Sequence, residues 1–295
     1  MKETKKFVGR IVAGAYYDMQ EVRKATKNRI RDVIRKKVEG IDFDEVEEKK
    51  EEDNYEQKYT DEQLFEEWKK LKEEGKITEE EFKYVNNSWE VANESEKIER
   101  KYKNQMMDYV KSEPIYTKFL QHVRGIGPVL STNLIKNFGD CSNYDTVSAL
   151  WKHTGNHVKN GKAPELRKGE EIEYSPRLRT LTWKISDCLM KSNKAIYRYI
   201  YDSEKKKQLA REYEKGKLAE KYNGYDEEDT QLSKGHAHNR ALRKMRKIFL
   251  AHFWAASREL AGLDTRESYV KEKLGHKNII TWKDALKEEK KRYEK

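Results

Sequence analysis

Apolar residues return every third or fourth position through most of this chain and rarely alternate. Between Gly14 and Gly40 they fall at Tyr16, Met19, Val22, Ala25, Ile30, Val33 and Ile34, the spacing that lines one face of an α-helix. The opposite face carries Arg23, Lys24, Lys27, Arg29, Arg31, Arg35, Lys36 and Lys37, and Gly40 is a stop signal. TDEQLFEEWKKLKEEG (60–75) predicts a second helix, with Thr60 as its cap and Gly75 at its end. A third covers 77–113, with Thr78 and Glu81 spaced as a capping box and a stripe of Phe82, Val85, Trp89, Ile98, Tyr102 and Met106. Pro114 interrupts it. These two form a helical hairpin suited to spacing or to a homodimer contact. Tyr197–Lys221 predicts a basic helix, and Asn223–Gly235 a loop. HAHNRALRKMRKIFLAHFWAASRELAG (236–262) is the most apolar helix, with Leu242, Met245, Ile248, Phe249, Phe253 and Trp254 directed at a core. The segment 274–295 ends in a charged, fraying helix.

The expected fold is therefore all-α: a long helical hairpin and a central helix-hairpin-helix module, with room for a small β-hairpin near 157–174. Four segments are expected. Residues 1–40 form a basic helix packing on the C-terminal helices, and 41–113 an acidic connector and the hairpin. Residues 114–200 form a nucleic-acid-binding module, and 201–295 a basic helix, the core helix and the tail. Only four Pro and fifteen Gly punctuate 295 residues, which suits long helices.

Charge changes this picture. The net charge is +10, yet Ile41–Gln63 holds eleven acids against three bases, so the remainder is more basic than the total. A basic body with one acidic insert points to a polyanion, nucleic acid before an anionic membrane. No apolar run is long enough to span a bilayer, and MKETKKFVGRIVAGAYYDMQ turns polar too soon for a signal peptide. Cys141 and Cys188 are too few for a disulfide framework and read as reduced core residues of a cytoplasmic, nucleoid-associated protein. Heavy Lys and Glu usage is shared by hyperthermophile surfaces and by long helices.

The densest chemical signal is HVRGIGPVLSTNLIKNFG, residues 122–139. Phe119, Leu120 and Val123 predict the apolar face of a short helix. Val129, Leu130, Leu134 and Ile135 predict that of a second, and Gly125-Ile126-Gly127 joins the two. The glycines permit a sharp turn and leave the amides at the second helix's N-terminus open to a phosphate, while Ile126 pins the turn to the core. Such contacts position a nucleic acid without reading bases. Arg124 and Lys136 add counterion-release affinity. Downstream, YDTVSALWKHTG predicts a short capped helix. SPRLRTLTWKISDCLMK predicts another, with Ser175 as N-cap, Pro176 at its first position, and Arg177 and Arg179 in its first turns.

The order GIGPV, NFGDCSNYDTVSALWKHTG, a glycine-bearing loop and SPRLRTLTW resembles the C-terminal half of the Piv-like DEDD transposases of insertion sequences, over roughly residues 119–190. The flanks GAYYDMQEVRKATKNRIRDVI and KGHAHNRALRKMRKIFLAHFWAASRELAG look similar to uncharacterised archaeal relatives of that family that lack its nuclease domain. In that family a loop serine is the recombination nucleophile. The matching GNHVKNGKAP has none, and no series of strand aspartates precedes it. The resemblance thus implies nucleic-acid binding and carries no catalytic residue over.

Other constellations are weaker. His153 and His157 are four apart and His236 and His238 two apart, without a neighbouring Cys or carboxylate to complete a metal site. Glu165, Glu170, Glu171 and Glu173 would hold magnesium only if the chain were a nuclease. Ser131 and Ser175 read as packing and capping residues. Trp151, Trp183 and Tyr174 are flat enough to stack on bases, but their spacing also suits a core.

The sequence thus reads as a non-enzymatic, largely sequence-independent DNA-binding protein with no cofactor. The expected contacts are Arg124, Gly125, Ile126, Gly127, Lys136, Lys152, His157, Lys159, Lys162, Arg167, Lys168, Arg177 and Arg179, with Arg23, Lys27, Arg31 and Arg35 on the first helix. The alternatives are a transposase-like recombinase or nuclease, a structured-RNA-binding protein, and a helical scaffold.

Overall fold

Local capping chemistry decides where several of the helices begin. A computed structural model of the protein describes residues 2–41, 60–158, 161–164, 169, 171–265 and 280–293. Eleven α-helices occur among them: α1 Lys2–Glu39, α2 Asp61–Glu73, α3 Glu79–Lys111, α4 Pro114–Lys118, α5 Pro128–Phe138, α6 Val147–His153, α7 Pro176–Lys191, α8 Ile196–Leu209, α9 Lys217–Lys221, α10 Lys234–Leu260 and α11 Trp282–Tyr293. A single 3-10 turn, Leu120–His122, follows α4. Thr60 and Gln63 close a reciprocal capping box on α2, and Thr78 with Glu81 does the same for α3. Thr146 caps α6, Ser175 caps α7 with Pro176 at its first position, and Ser233 caps α10. The fold is all-helical and contains no strand among the described residues. Part of the expected β-hairpin at 157–174 lies outside them.

The chain divides into two compact units, residues 11–105 and residues 1–10 with 106–295. The expected boundaries at 40 and 113 are thus not those of the compact units, because α1 and α3 both run through the division. In the smaller unit, Ile30 and Ile34 of α1 are buried with Leu64, Trp68, Ile77 and Val85 of the helical hairpin. In the larger, α10 packs against α6, α7 and α8 and buries Met245, Phe249, Leu250 and Phe253 completely. Phe249 meets Phe119 and Tyr197 with ring centroids 6.2 and 5.5 Å apart. No helix among the described residues is long and apolar enough to cross a membrane.

The expected helix Tyr197–Lys221 ends early, at Leu209. Tyr213 N–H donates to the Thr230 carbonyl and Gly216 N–H to that of Glu227, both at 2.8 Å. These cross-links fold the segment back, and burial of Leu218, Leu232 and Ala237 together holds it there. The free thiol of Cys141 is buried, and burial pushes its pKa up to about 12.

The basic face of α1 is largely neutralised inside the smaller unit. Arg23 pairs with buried Glu99. Lys27 and Arg31 converge on Asp61, at 3.1 and 2.6 Å, and Lys27 also reaches Glu96. Arg35 meets Asp32 at 3.3 Å. Partial burial pushes the Asp61 carboxyl up, but the hydrogen bonds from Arg31 and Lys27 outweigh it, so its pKa lies below the ordinary 3.8. The stability this pair of bonds supplies is therefore present above pH 3.8 and lost as pH falls below it. Asp61→Asn is expected to lower stability by on the order of 1–2 kcal/mol at neutral pH. The difference from wild type should close in acid, as followed by thermal melts across pH.

Candidate nucleic-acid interface

The turn after the Leu120–His122 helix is built from three adjacent hydrogen-bonded bends. Val123 N–H donates to Leu120 O, Ile126 N–H to Val123 O and Ser131 N–H to Gly127 O. Ile126 is buried in the same core as Leu134 and Val123, as its aliphatic character requires. The two glycines differ. Gly125 has φ +87°, and a Cβ there would lie 2.7 Å from both the Cys188 carbonyl oxygen and Ser192 Oγ. It is glycine because the turn lies directly on the C-terminal end of α7.

Gly127 has an ordinary φ of −88° and caps α5. A Cβ there would meet nothing within 4 Å, and the residue is exposed. Pro128 has no N–H to offer. The amides of Gly127, Val129 and Leu130 have no acceptor among the described residues. Three open donors at a helix N-terminus, beside an unfilled space, form a cradle of the kind that holds an anion. Next to it, the buried carboxylate of Glu289 in α11 accepts Ile196 N–H at 2.6 Å and Arg124 N–H at 3.4 Å.

Of the cations expected around this turn, Arg124, Lys152, Lys162 and Arg177 are exposed. Lys162 sits 6.0 Å from the Tyr222 ring. Lys159, Arg167 and Lys168 lie outside the described residues, as do Glu165 and Glu170. Lys136 corrects the sequence reading: it is only 2% exposed and does not present its charge to a ligand. Burial, with Arg177 and Arg10 nearby, pushes its ammonium down to about 8. Its place on the inward face of α5 explains this, because Lys136 follows Leu134 and Ile135 where that helix turns wholly into the core. Arg23, Lys27, Arg31 and Arg35 are likewise engaged with carboxylates and do not form an open basic face.

The remaining predicted arginine, Arg179, belongs to a cavity. Its volume is about 470 Å³, and its lining includes Gly155, Arg179, Thr180, Trp183, Asn239, Arg243 and Arg246. Arg179 Nη1 donates to the Pro164 carbonyl at 2.7 Å and to Tyr174 Oη at 2.6 Å. Tyr174 lies so close over Gly155 (φ +65°) that a Cβ there would fall 2.8 Å from its ring. Arg243 donates to the His157 carbonyl. The Nε groups of Arg243 and Arg246 are buried without an acceptor. No carboxylate among the described residues pairs with any of the three, and burial followed by Arg243 and Arg179 pushes Arg246 down to about 10. It remains protonated at neutral pH. Burial also depresses Lys247, which stands 4.0 Å from the Trp151 ring.

Arg243 and Arg246 are not among the expected contacts, because the apolar stripe of α10 gives no signal for the cations beside it. The signal was the Asn239, Arg243, Arg246 spacing, which puts the three on one helix face. The histidines have simpler roles. Tyr144, Tyr225, Tyr201 and Tyr197 hydroxyls meet Nδ1 of His153, His236, His238 and His252 at 2.6–2.9 Å. The His157 side chain faces Glu173 at 3.8 Å. A larger cavity of about 710 Å³ lies in the smaller unit. Its lining balances Arg29 and Lys37 with Glu80 and Glu81, Lys37 being paired with Glu81, whereas the smaller cavity gathers arginines without a carboxylate in its lining. No family model matches the chain, nor does any curated protein or solved structure.

Lys136 yields a pH test. Its folded pKa of about 8 lies below the ordinary 10.5, so the unfolded chain binds the extra proton between those values. Charging it destabilises the fold fully below pH 8, and the penalty fades as pH rises toward 10.5. Lys136→Met is expected to stabilise the protein by about 3 kcal/mol at pH 7. That advantage should shrink between pH 8 and 10.5 in denaturant titrations.

Proposed function

We propose that this chain binds the sugar–phosphate backbone of nucleic acid, duplex DNA first, largely without regard to base sequence. In this reading α4, the Leu120–His122 turn, Gly125-Ile126-Gly127 and α5 act as a helix-hairpin-helix. The phosphate sits on the amides of Gly127, Val129 and Leu130. Arg124, Arg177, Lys152 and Lys162 supply the salt-sensitive part of the affinity. The observation that carries the reading is the open space at Gly127: a Cβ there meets nothing within 4 Å among the described residues, and the amides of Gly127, Val129 and Leu130 at this helix N-terminus have no acceptor among them. The resemblance of residues 119–190 to the DNA-handling half of insertion-sequence transposases points the same way. Descent from such an enzyme without its chemistry would account for a loop at 155–164 with no serine.

The two glycines give the test. Gly127→Val projects methyl groups into open space and should cost only about 1 kcal/mol, the loss of a favoured helix cap, leaving the protein folded. It should weaken duplex binding about tenfold, the worth of one charge-assisted hydrogen bond. Gly125→Ala forces a strained φ against a carbonyl and should lower stability by about 2–3 kcal/mol. Gel shifts over a salt series with duplex DNA, single strands and structured RNA measure the first effect, and thermal melts the second. A folded Gly127→Val protein that binds duplex as wild type does would exclude the turn as the contact. Tighter binding to structured RNA than to duplex would reassign the ligand.

A further inference from the structure

The cavity between α7 and α10 is poorly explained by contact with a continuous duplex. It is concave, and two of its cations keep buried Nε–H groups without an acceptor among the described residues. A phosphate within a strand carries one charge and continues into sugar on both sides, so it rides on a convex or grooved surface. Three arginines lining one cavity, Arg179, Arg243 and Arg246, ask for more charge and more acceptors than that. Like charges held together in a partly desolvated pocket are costly unless an anion completes them. A terminal phosphomonoester carries nearly two charges at neutral pH and three acceptor oxygens, and guanidiniums take such oxygens in paired, directional bonds. The cavity also has an aromatic rim. Trp183, one helical turn beyond Arg179, is 53% exposed and lines the same space as Thr180 and Asn239. A large flat indole left in solvent beside a phosphate-sized cationic pocket suits the base attached to that phosphate.

We propose that this cavity receives the phosphorylated end of a nucleic-acid strand, with Arg179, Arg243 and Arg246 around the phosphate and Trp183 stacked on the terminal base. The proposal rests on the nucleic-acid reading above but uses a site separate from the Gly127 cradle. It makes the protein a reader of strand ends as well as a backbone binder.

The test uses the full chain and fluorescence anisotropy with four ligands: one oligonucleotide bearing a 5′-phosphate, a 3′-phosphate or hydroxyls at both ends, and a closed dumbbell duplex with no ends. One of the phosphorylated forms is expected to bind about tenfold tighter than the hydroxyl form, as for one strong charge-assisted contact. Arg246→Gln should abolish that preference and leave dumbbell binding unchanged. It should also raise the melting temperature, because it removes like-charge repulsion. Arg243→Gln should repeat the loss of preference, and Trp183→Ala should weaken phosphorylated single strands but not the dumbbell. Equal affinity for phosphorylated and hydroxyl ends, with the dumbbell bound, would overturn the end-reading site and leave backbone binding standing. No binding to any of the four would overturn both. A free 5′-mononucleotide, added as a competitor, that displaces the phosphorylated strand at equal concentration would assign the cavity to a small nucleotide and also overturn the proposal.

Discussion

The packing of α10 is the constraint on which the larger unit depends. One face of this helix supplies Met245, Phe249, Leu250 and Phe253 to the core, and removing a ring such as that of Phe249 would cost about 3–5 kcal/mol. Because that face is fixed, the adjoining face is fixed as well, and it carries Asn239, Arg243 and Arg246 toward α7. The Cα positions of these arginines cannot leave the cavity wall without tilting the helix out of the core. The hydrophobic effect thus holds the cationic cavity in shape. The energy that orders the core also supports the strain of crowding like charges.

The same logic separates the glycines of the turn. Gly125 answers to the fold, since the Cys188 carbonyl occupies the space a side chain would need. At Gly127 no described residue stands where a side chain would go. Its conformation is ordinary and its surroundings are empty, so the fold would accept another residue there. A position the structure does not restrict, in front of donors the structure does not use, is where an outside ligand would impose its own requirement. Glycine is also an acceptable helix cap in its own right, which is why the binding of a variant, rather than its folding, decides between the two roles.

Much of the helical architecture was legible in the chain because helix signals are local. Thr60 with Gln63, Thr78 with Glu81, Ser175 with Pro176 and the apolar stripe of α10 each act within a few residues, and each marks its helix correctly. What escaped was long-range. Nothing near Lys136 in sequence announces that α5 would be enclosed on that side. The cations of α1 read as an open basic face because Asp61, Glu96 and Glu99, which take them up, lie 30 or more positions away. The early end of α8 depends on Thr230 and Glu227 reaching back across the loop. Of the cavity, Arg179 was visible as a first-turn cation. Arg243 and Arg246 were hidden among core residues, because a periodicity that finds apolar faces says nothing about the cations beside them.

Glu289 adds a consequence for biosynthesis. Its carboxylate is buried and accepts the amide of Ile196, with the amide of Arg124 as a longer second donor. The N-terminal end of α8 and the backbone beside the turn are therefore completed by a side chain 93 positions beyond Ile196. A nascent chain that has not yet emerged through α11 leaves the amide of Ile196 without this acceptor, a deficit of about 1–3 kcal/mol if it is already buried. Such a chain can form α4, α5 and α8 but holds them loosely. Vectorial folding on the ribosome then closes this module only once α11 has emerged, rather than completing it beforehand.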